Sequence, residues 1–357
     1  MSHGPELHES LSALSSLLAD VGPFLLVRDP IAWEASGAAA ALEQELDSLG
    51  GVVFDEQGDM PRLELMQRAA VLAEAKQCRA IVAIGGGTSI DTAKGAAWCL
   101  AGGALSTQPA PETPLLPIFA VPTTAGTGSE ATHFAVCWHE GRKHSLADPR
   151  LLPAHAIVDS NLHQSLSPRL TATAGFDALC QALESLWSRS ATEASREDAS
   201  QAARLLLGSL EGAVNQPTPE LRRAMARGAH LAGRAINVTK TTTPHALSYA
   251  LTHEHGIPHG YAVALTFPHC LALRNGREQS PPGTELVSEL LGNTPEAAVA
   301  RFQELQERCG APTSLSALGV RETDLELIAT SVDPSRLAND PLAPTAPELV
   351  EILRSAL

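Results

Sequence analysis

Four side chains between positions 177 and 259 have the types and spacing to hold a divalent metal. Asp177 and Gln181 lie four apart in Gly175-Phe176-Asp177-Ala178-Leu179-Cys180-Gln181. That run reads as helix, so the two share a face. His245 and His259 follow in Pro244-His245-Ala246-Leu247-Ser248-Tyr249 and Pro258-His259-Gly260. A carboxylate, two imidazoles and an amide oxygen make a mixed oxygen and nitrogen set with room for a substrate oxygen. Such a set suits Fe²⁺, and also Zn²⁺, Mn²⁺, Co²⁺ or Ni²⁺. A chain with 13 histidines offers such quartets by chance, so the reading rests on what surrounds them.

The first half supplies that context. Ala80–Ile84 is an apolar, strand-like run that ends in Gly85-Gly86-Gly87-Thr88-Ser89 and continues into the helical Ile90-Asp91-Thr92-Ala93-Lys94. A buried strand, a glycine turn and a helix start bring free N–H groups and a positive helix end together, which is how backbone binds phosphate. Gly86, Gly87, Thr88, Ser89 and Asp91 are therefore candidate cofactor contacts, although an ordinary tight turn would use glycines as well. The common G-x-G-x-x-G fingerprint is absent. A second strand-like run, Leu116–Val121, leads into Pro122-Thr123-Thr124-Ala125-Gly126-Thr127-Gly128-Ser129-Glu130. Thr123, Thr124, Thr127 and Ser129 have hydroxyls suited to a ribose or pyrophosphate.

These segments together resemble a known family. Residues 85–94 look like a GGGSxxDxAK loop, 122–130 like PTTxGTGSE, and Gly175–Leu179 and Pro258–Gly260 like the metal segments of the iron-containing (group III) alcohol dehydrogenases. The superfamily includes glycerol dehydrogenase and dehydroquinate synthase, and the resemblance spans roughly residues 20–270. It implies an α/β N-terminal dinucleotide-binding domain plus an all-α C-terminal metal-binding domain, the dehydroquinate synthase-like fold. It also implies NAD(P)H as cofactor, a divalent metal with Fe²⁺ first, and Asp177, His245 and His259 as ligands.

Departures from the pattern carry information too. The family's histidine four residues after its aspartate is Gln181 here, expected as the fourth ligand. The second histidine of its His-x-x-x-His pair is Tyr249. An apolar, glycine-containing stretch is replaced by Lys240-Thr241-Thr242-Thr243-Pro244. A cation and three hydroxyls beside a metal suit an anionic head group better than a plain alkyl alcohol. With Gly141-Arg142-Lys143-His144-Ser145, this variant is most similar to the family's phosphonoacetaldehyde-reducing branch. Lys240, Thr242 and Tyr249 are accordingly the expected catalytic and substrate-binding side chains. The substrate expected is a small anionic aldehyde.

Arg28-Asp29, ending the first strand, bears on which nicotinamide is used. Asp29 would bond an adenosine ribose hydroxyl and favour NAD, while Arg28 would favour NADP. Lys143 matches a family lysine that approaches the cofactor.

Strand-like runs at 24–28, 51–54, 80–84, 117–121 and 156–159 alternate at first with helical stretches at 33–49 and 62–77, which implies a parallel sheet. Residues 132–147 suit a hairpin. Strand signals fade after about 165, and the rest reads as helices broken near 216–219 and 280–283. The expected domains are 1–168 and 169–357. The charge-rich stretch Glu184–Arg204 reads as a helix with a solvated face. A net charge of −15 argues against nucleic acid and anionic membranes as partners. Six scattered cysteines without a C-x-x-C pair suggest reduced thiols. No apolar run approaches about 18 residues. A cytoplasmic enzyme, possibly a homodimer, is the expectation. Other readings are an alkanol or diol dehydrogenase, a dehydroquinate synthase-like lyase, and a non-catalytic nucleotide- or metal-binding protein.

Overall fold

Alternation of β-rich apolar runs with Ala/Leu-rich stretches gives way to helix alone along this chain, and the architecture follows that change. A computed structural model describes residues 4–55, 58, 60–279 and 281–357. Ser280, in one of the two expected helix breaks, lies outside the described residues. The chain divides into two compact units, 1–166 and 167–357.

The first unit contains β1 (Glu6–His8), α1 (Ala13–Leu18), β2 (Phe24–Arg28), α2 (Pro30–Ala35), α3 (Ala38–Ser48), β3 (Gly51–Asp55), α4 (Leu63–Ala75), β4 (Ala80–Gly85), α5 (Gly87–Leu100), β5 (Ile118–Pro122), β6 (Phe134–His139), β7 (Arg142–Ala147) and β8 (His155–Ile157). Six strands form one sheet in the order β1-β8-β5-β4-β2-β3, with every pairing parallel. Leu14, Leu18, Leu42 and Leu46 of α1 and α3 cover one face. Met66, Ala69, Ile90 and Ala93 of α4 and α5 cover the other. Covering both faces explains why β4 is apolar throughout, with all six residues buried.

Three differences from the sequence expectation have local causes. β1 was not expected, because three residues with two polar side chains show no periodicity. The helical stretch at 33–49 is two helices, divided where Gly37 adopts φ +82. The hairpin at 132–147 turns through Glu140 and Gly141, both at positive φ, the twist that two-residue hairpins prefer.

A buried cation ties α5 to the segment after β5. Lys94 is fully buried and donates Nζ–H bonds to Ser129 O (2.6 Å), Thr132 O (2.7 Å), Thr132 Oγ1 (2.9 Å) and Phe134 O (2.9 Å). Asp91, one turn earlier, accepts from Ser129 Oγ (3.0 Å) and Val136 N (2.9 Å).

The second unit contains α6 (Pro168–Trp187), α7 (Glu193–Asn215), α8 (Pro219–Thr239), α9 (Thr243–His255), α10 (His259–Asn275), α11 (Thr284–Leu291), α12 (Pro295–Arg308), α13 (Leu325–Thr330), α14 (Pro334–Leu337) and α15 (Ala346–Ser355), with no strand among its described residues. The stretch Glu184–Arg204 is not one solvated helix. It breaks between Trp187 and Glu193, and Glu184 is completely buried. Gly260 lets α10 start close against α6, since a Cβ there would lie 1.9 Å from Thr173 O. No helix among the described residues is long and apolar enough to cross a membrane.

Lys94→Met should leave Thr132 O without its donor, and Ser129 O and Phe134 O with only the long contacts from Thr132. At about 1–3 kcal/mol for an unsatisfied buried group, a loss of at least about 1 kcal/mol is expected in urea unfolding. A variant as stable as the parent would show that the tether contributes little.

Candidate metal centre and nucleotide cradle

Helix α6 places Asp177, Gln181 and Glu184 on one face at i, i+4 and i+7. Helix α9 brings His245 to that face, and α10 begins at His259. Ligand atoms of Asp177, His245 and His259 all lie within 4.8 Å of one another. Asp177 Oδ1 stands 3.2 Å from His245 Nε2 and 3.8 Å from His259 Nε2. These spacings are close to the edges of a coordination polyhedron with bonds of about 2.0–2.2 Å.

The imidazoles are oriented from behind. Glu184 Oε1 accepts from His245 Nδ1 at 2.5 Å, leaving Nε2 for a cation. Ser248 donates its hydroxyl to His245 O (2.7 Å) and so accepts from His259 Nδ1 (3.3 Å). The sequence reading did not find Glu184 or Ser248. The available signal for Glu184 is its i+7 register with Asp177, on the face that also carries Gln181.

Gln181 tests whether a metal fits. Its Nε2 donates to Asp177 Oδ1 (3.0 Å), while its Oε1 is buried without a hydrogen-bond partner among the described residues. A half-turn of the amide would set its oxygen where the nitrogen now meets Asp177 Oδ1, and a cation beside Asp177 would satisfy that acceptor. The donor set therefore fits a divalent ion.

Lys240, Thr242 and Tyr249 are placed differently from one another. Tyr249 reaches the centre, its ring parallel to that of His259 at 5.9 Å. Lys240 is exposed and caps α8 at φ +55. Thr242 is buried and is not available to a substrate. Its N–H and hydroxyl both donate to Glu184 Oε2 (2.7 and 2.8 Å), and its hydroxyl accepts from Trp187 Nε1 (2.9 Å). Thr243 likewise donates its hydroxyl to Asp340 (2.6 Å). The expected pocket of one lysine and three hydroxyls is thus not assembled: two of the hydroxyls serve buried carboxylates.

In the first unit, Asp29, Gly86 and Thr124 follow the carboxyl ends of β2, β4 and β5, where open α/β sheets bind nucleotides. The glycines differ in what requires them. A Cβ on Gly85 would clash with Ser89 at 2.2 Å, and one on Gly87 with Thr127 at 2.7 Å. At Gly86 the nearest atom would be Thr124 at an ordinary 3.6 Å, and its φ of −76 suits any residue. Neither backbone nor packing demands Gly86, so what needs the space is a ligand. Gly86, Gly87 and Thr88 are partly exposed beside a buried strand, as are Thr124 and Thr127. Gly86 caps α5 without a side chain. Thr123 keeps a buried hydroxyl with no partner among the described residues. This cradle fits a dinucleotide pyrophosphate.

Asp91 and Ser129 bond to each other and are buried, so they set the loop rather than touch a cofactor. Ser89 is also buried, packed under Gly85. Asp29 caps α2 through Oδ1, with Ile31 N and Ala32 N at 2.8 and 3.0 Å. Arg28 is paired with Asp55 (2.7 Å) and lies over Trp33. Lys143 stands on β7 opposite Trp138, and its charge pulls the Asp91 carboxyl downward against the larger, raising effect of burial.

Two measurements follow. Gly86→Val should weaken NADH binding about tenfold or more in a fluorescence titration while leaving the melting temperature unchanged; undiminished binding would move the pyrophosphate elsewhere. In the metal-free protein, burial works against a charged His245, but the Glu184 and Asp177 carboxylates outweigh it and raise its pKa to about 10. At pH 8 an entering ion must displace that proton, so Zn²⁺ uptake should release at least about one proton per ion in weak buffer. Because the folded value lies above the unfolded 6.5, this pair stabilises the metal-free chain fully below pH 6.5. That contribution is lost as pH rises through about 10. Metal uptake at pH 8 without proton release would contradict the assignment.

Comparison with known proteins identifies the family. The iron-containing alcohol dehydrogenase model matches residues 7–160, and the C-terminal model of the same family matches 171–357. Phosphonoacetaldehyde reductase of Streptomyces viridochromogenes is 37% identical over 290 residues, 72% of each chain. The NAD-dependent methanol dehydrogenase of Bacillus methanolicus is 32% identical, covering 79% of this chain and 78% of that one. Among solved structures, sulfoacetaldehyde reductase from Bifidobacterium kashiwanohense in complex with NAD⁺ superposes with a TM-score of 0.85 at 27% identity, covering 99% and 96% of the two chains. The chain belongs to the iron-containing alcohol dehydrogenase family and is a nicotinamide-dependent oxidoreductase of alcohols and aldehydes.

Proposed function

We propose that this enzyme reduces a short aldehyde bearing a tetrahedral anionic group, phosphonoacetaldehyde foremost, to the alcohol 2-hydroxyethylphosphonate, with NADH as reductant. The observation that carries this reading is that two similar proteins, reached by independent comparisons, are named for two-carbon aldehydes ending in a phosphonate or a sulfonate. An exposed Lys240 three residues before α9 supports it from this chain's own residues. Asp29 supports NADH, since a carboxylate there bonds a ribose hydroxyl and repels a 2′-phosphate, and Arg28 is already paired with Asp55.

A divalent ion and NADH, when bound, supply Lewis acidity at the carbonyl and the hydride it accepts. Asp177, His245 and His259, with Gln181, hold the ion. Glu184 and Ser248 keep each imidazole's Nδ1 protonated and its Nε2 forward. The His259 side chain is 36% exposed and Tyr249 is partly exposed beside it, so this edge of the centre is open. There the carbonyl enters, and the product oxygen takes its proton from water. One aldehyde, one NADH and one proton give one alcohol and one NAD⁺.

A second reading, reduction or oxidation of neutral short alcohols, is favoured by the 32% identity to a methanol dehydrogenase. Steady-state NADH oxidation separates the two. Phosphonoacetaldehyde should exceed propanal in kcat/KM by about tenfold or more, the contribution of one charge-assisted hydrogen bond. A preference for propanal would remove the anionic reading and leave the family assignment standing. Net NADH consumption also separates either reading from a lyase.

A further inference from the structure

Lys240, suggested by the spacing before His245, is joined by a second cation that local spacing does not reveal. Against Tyr249 lies Arg336, in α14, with its guanidinium carbon 6.0 Å from the ring centre. Tyr249 is itself parallel to the ring of the metal ligand His259 at 5.9 Å. Those spacings put the guanidinium no further than about 12 Å from the His259 ring. Arg336 is half-buried, and among the described residues no carboxylate pairs with it.

The same stretch is stitched to Lys240. Asn339 Nδ2 donates to Thr239 O (2.7 Å) and Thr241 O (3.0 Å), the two carbonyls flanking Lys240. Asp340 then accepts from Thr243 N (3.3 Å) and Thr243 Oγ1 (2.6 Å) at the start of α9, and pairs with the buried Arg274. Segment 336–340 is therefore fixed against the residues that lead into His245. Fixing it there joins the turn that carries Lys240 to the segment whose Arg336 lies against Tyr249. Lys240 holds its position through a left-handed φ of +55, which places a long, exposed side chain at a sharp turn.

We propose that Arg336, helped by Lys240 on the turn hydrogen-bonded to the same segment, is the binding site for the tetrahedral anion of the substrate, and that Tyr249 sets its distance from the metal. This rests on the anionic reading given above. A metal–oxygen bond, a two-carbon chain with its anion oxygens, and a charge-assisted hydrogen bond together span about 10 Å, within the reach of this arrangement. A guanidinium presents paired donors to two oxygens of a phosphonate or sulfonate, which an ammonium cannot. Aldehydes without the anion would gain nothing from Arg336.

Kinetics of Arg336→Met and Arg336→Lys on phosphonoacetaldehyde, sulfoacetaldehyde and propanal test the assignment, with metal content measured on each preparation. Calorimetric binding of 2-hydroxyethylphosphonate to the metal-loaded enzyme gives a readout apart from turnover. Arg336→Met should lose about 10- to 100-fold in kcat/KM on both anionic aldehydes, weaken product binding by a similar factor, and keep its propanal rate and metal. Arg336→Lys should fall between parent and Met variant. If the parent prefers the anionic aldehydes but Arg336→Met loses equally on propanal, or loses nothing, the Arg336 site is wrong and the substrate reading survives. If the parent shows no preference for an anionic aldehyde and no affinity for the phosphonate, the substrate reading fails, and the site with it.

Discussion

The carboxylate of Glu184 holds the second unit's chemistry in place. It has no exposure to solvent, and each of its oxygens has a defined task. One receives His245 Nδ1–H, and the other receives both donors of Thr242 at the beginning of α9. A buried charge is costly unless fully bonded. Here the bonds that satisfy it also fix where α9 starts and which nitrogen of His245 faces forward. The aspartate and histidines assemble because this anion must be satisfied, and the helix that satisfies it carries a ligand.

The first unit is governed by close approach of backbone. Ser89 and Thr127 occupy the space that side chains at positions 85 and 87 would take, while position 86 stays open. Lys94 and Asp91 then clamp the second loop from beneath. Polar residues that looked like a single set of cofactor contacts thus divide by depth: Gly86, Thr88, Thr124 and Thr127 face outward, and Ser89, Asp91 and Ser129 build the support.

Much of this was legible in the sequence, and the limits have physical causes. Parallel strands buried on both faces announce themselves as apolar runs, so β2, β4 and β5 were readable, whereas the short, polar β1 was not. Asp177, His245 and His259 stood out because their segments match a family pattern. Glu184 did not, because a glutamate on a helix reads as a surface charge until its partner is known. Thr242 and Thr243 were misread for the same reason: their hydroxyls answer to Glu184 and to Asp340, the latter 97 residues away. No local spacing predicts that Arg336 lies over Tyr249 either, since that meeting is made by the packing of a distant segment.

Glu184 also alters the charge that a substrate meets. A divalent ion bound by Asp177, two neutral imidazoles and an amide would carry one net positive charge from its ligand set alone. Glu184 lies one imidazole further out and would cancel that remainder, leaving a loaded centre close to neutral at short range. If the substrate is the anionic aldehyde proposed above, its anion would meet little net attraction at this centre, which would favour the carbonyl end there. Orientation of a molecule with an anion at one end and a carbonyl at the other then follows from where the protein leaves its charge uncompensated.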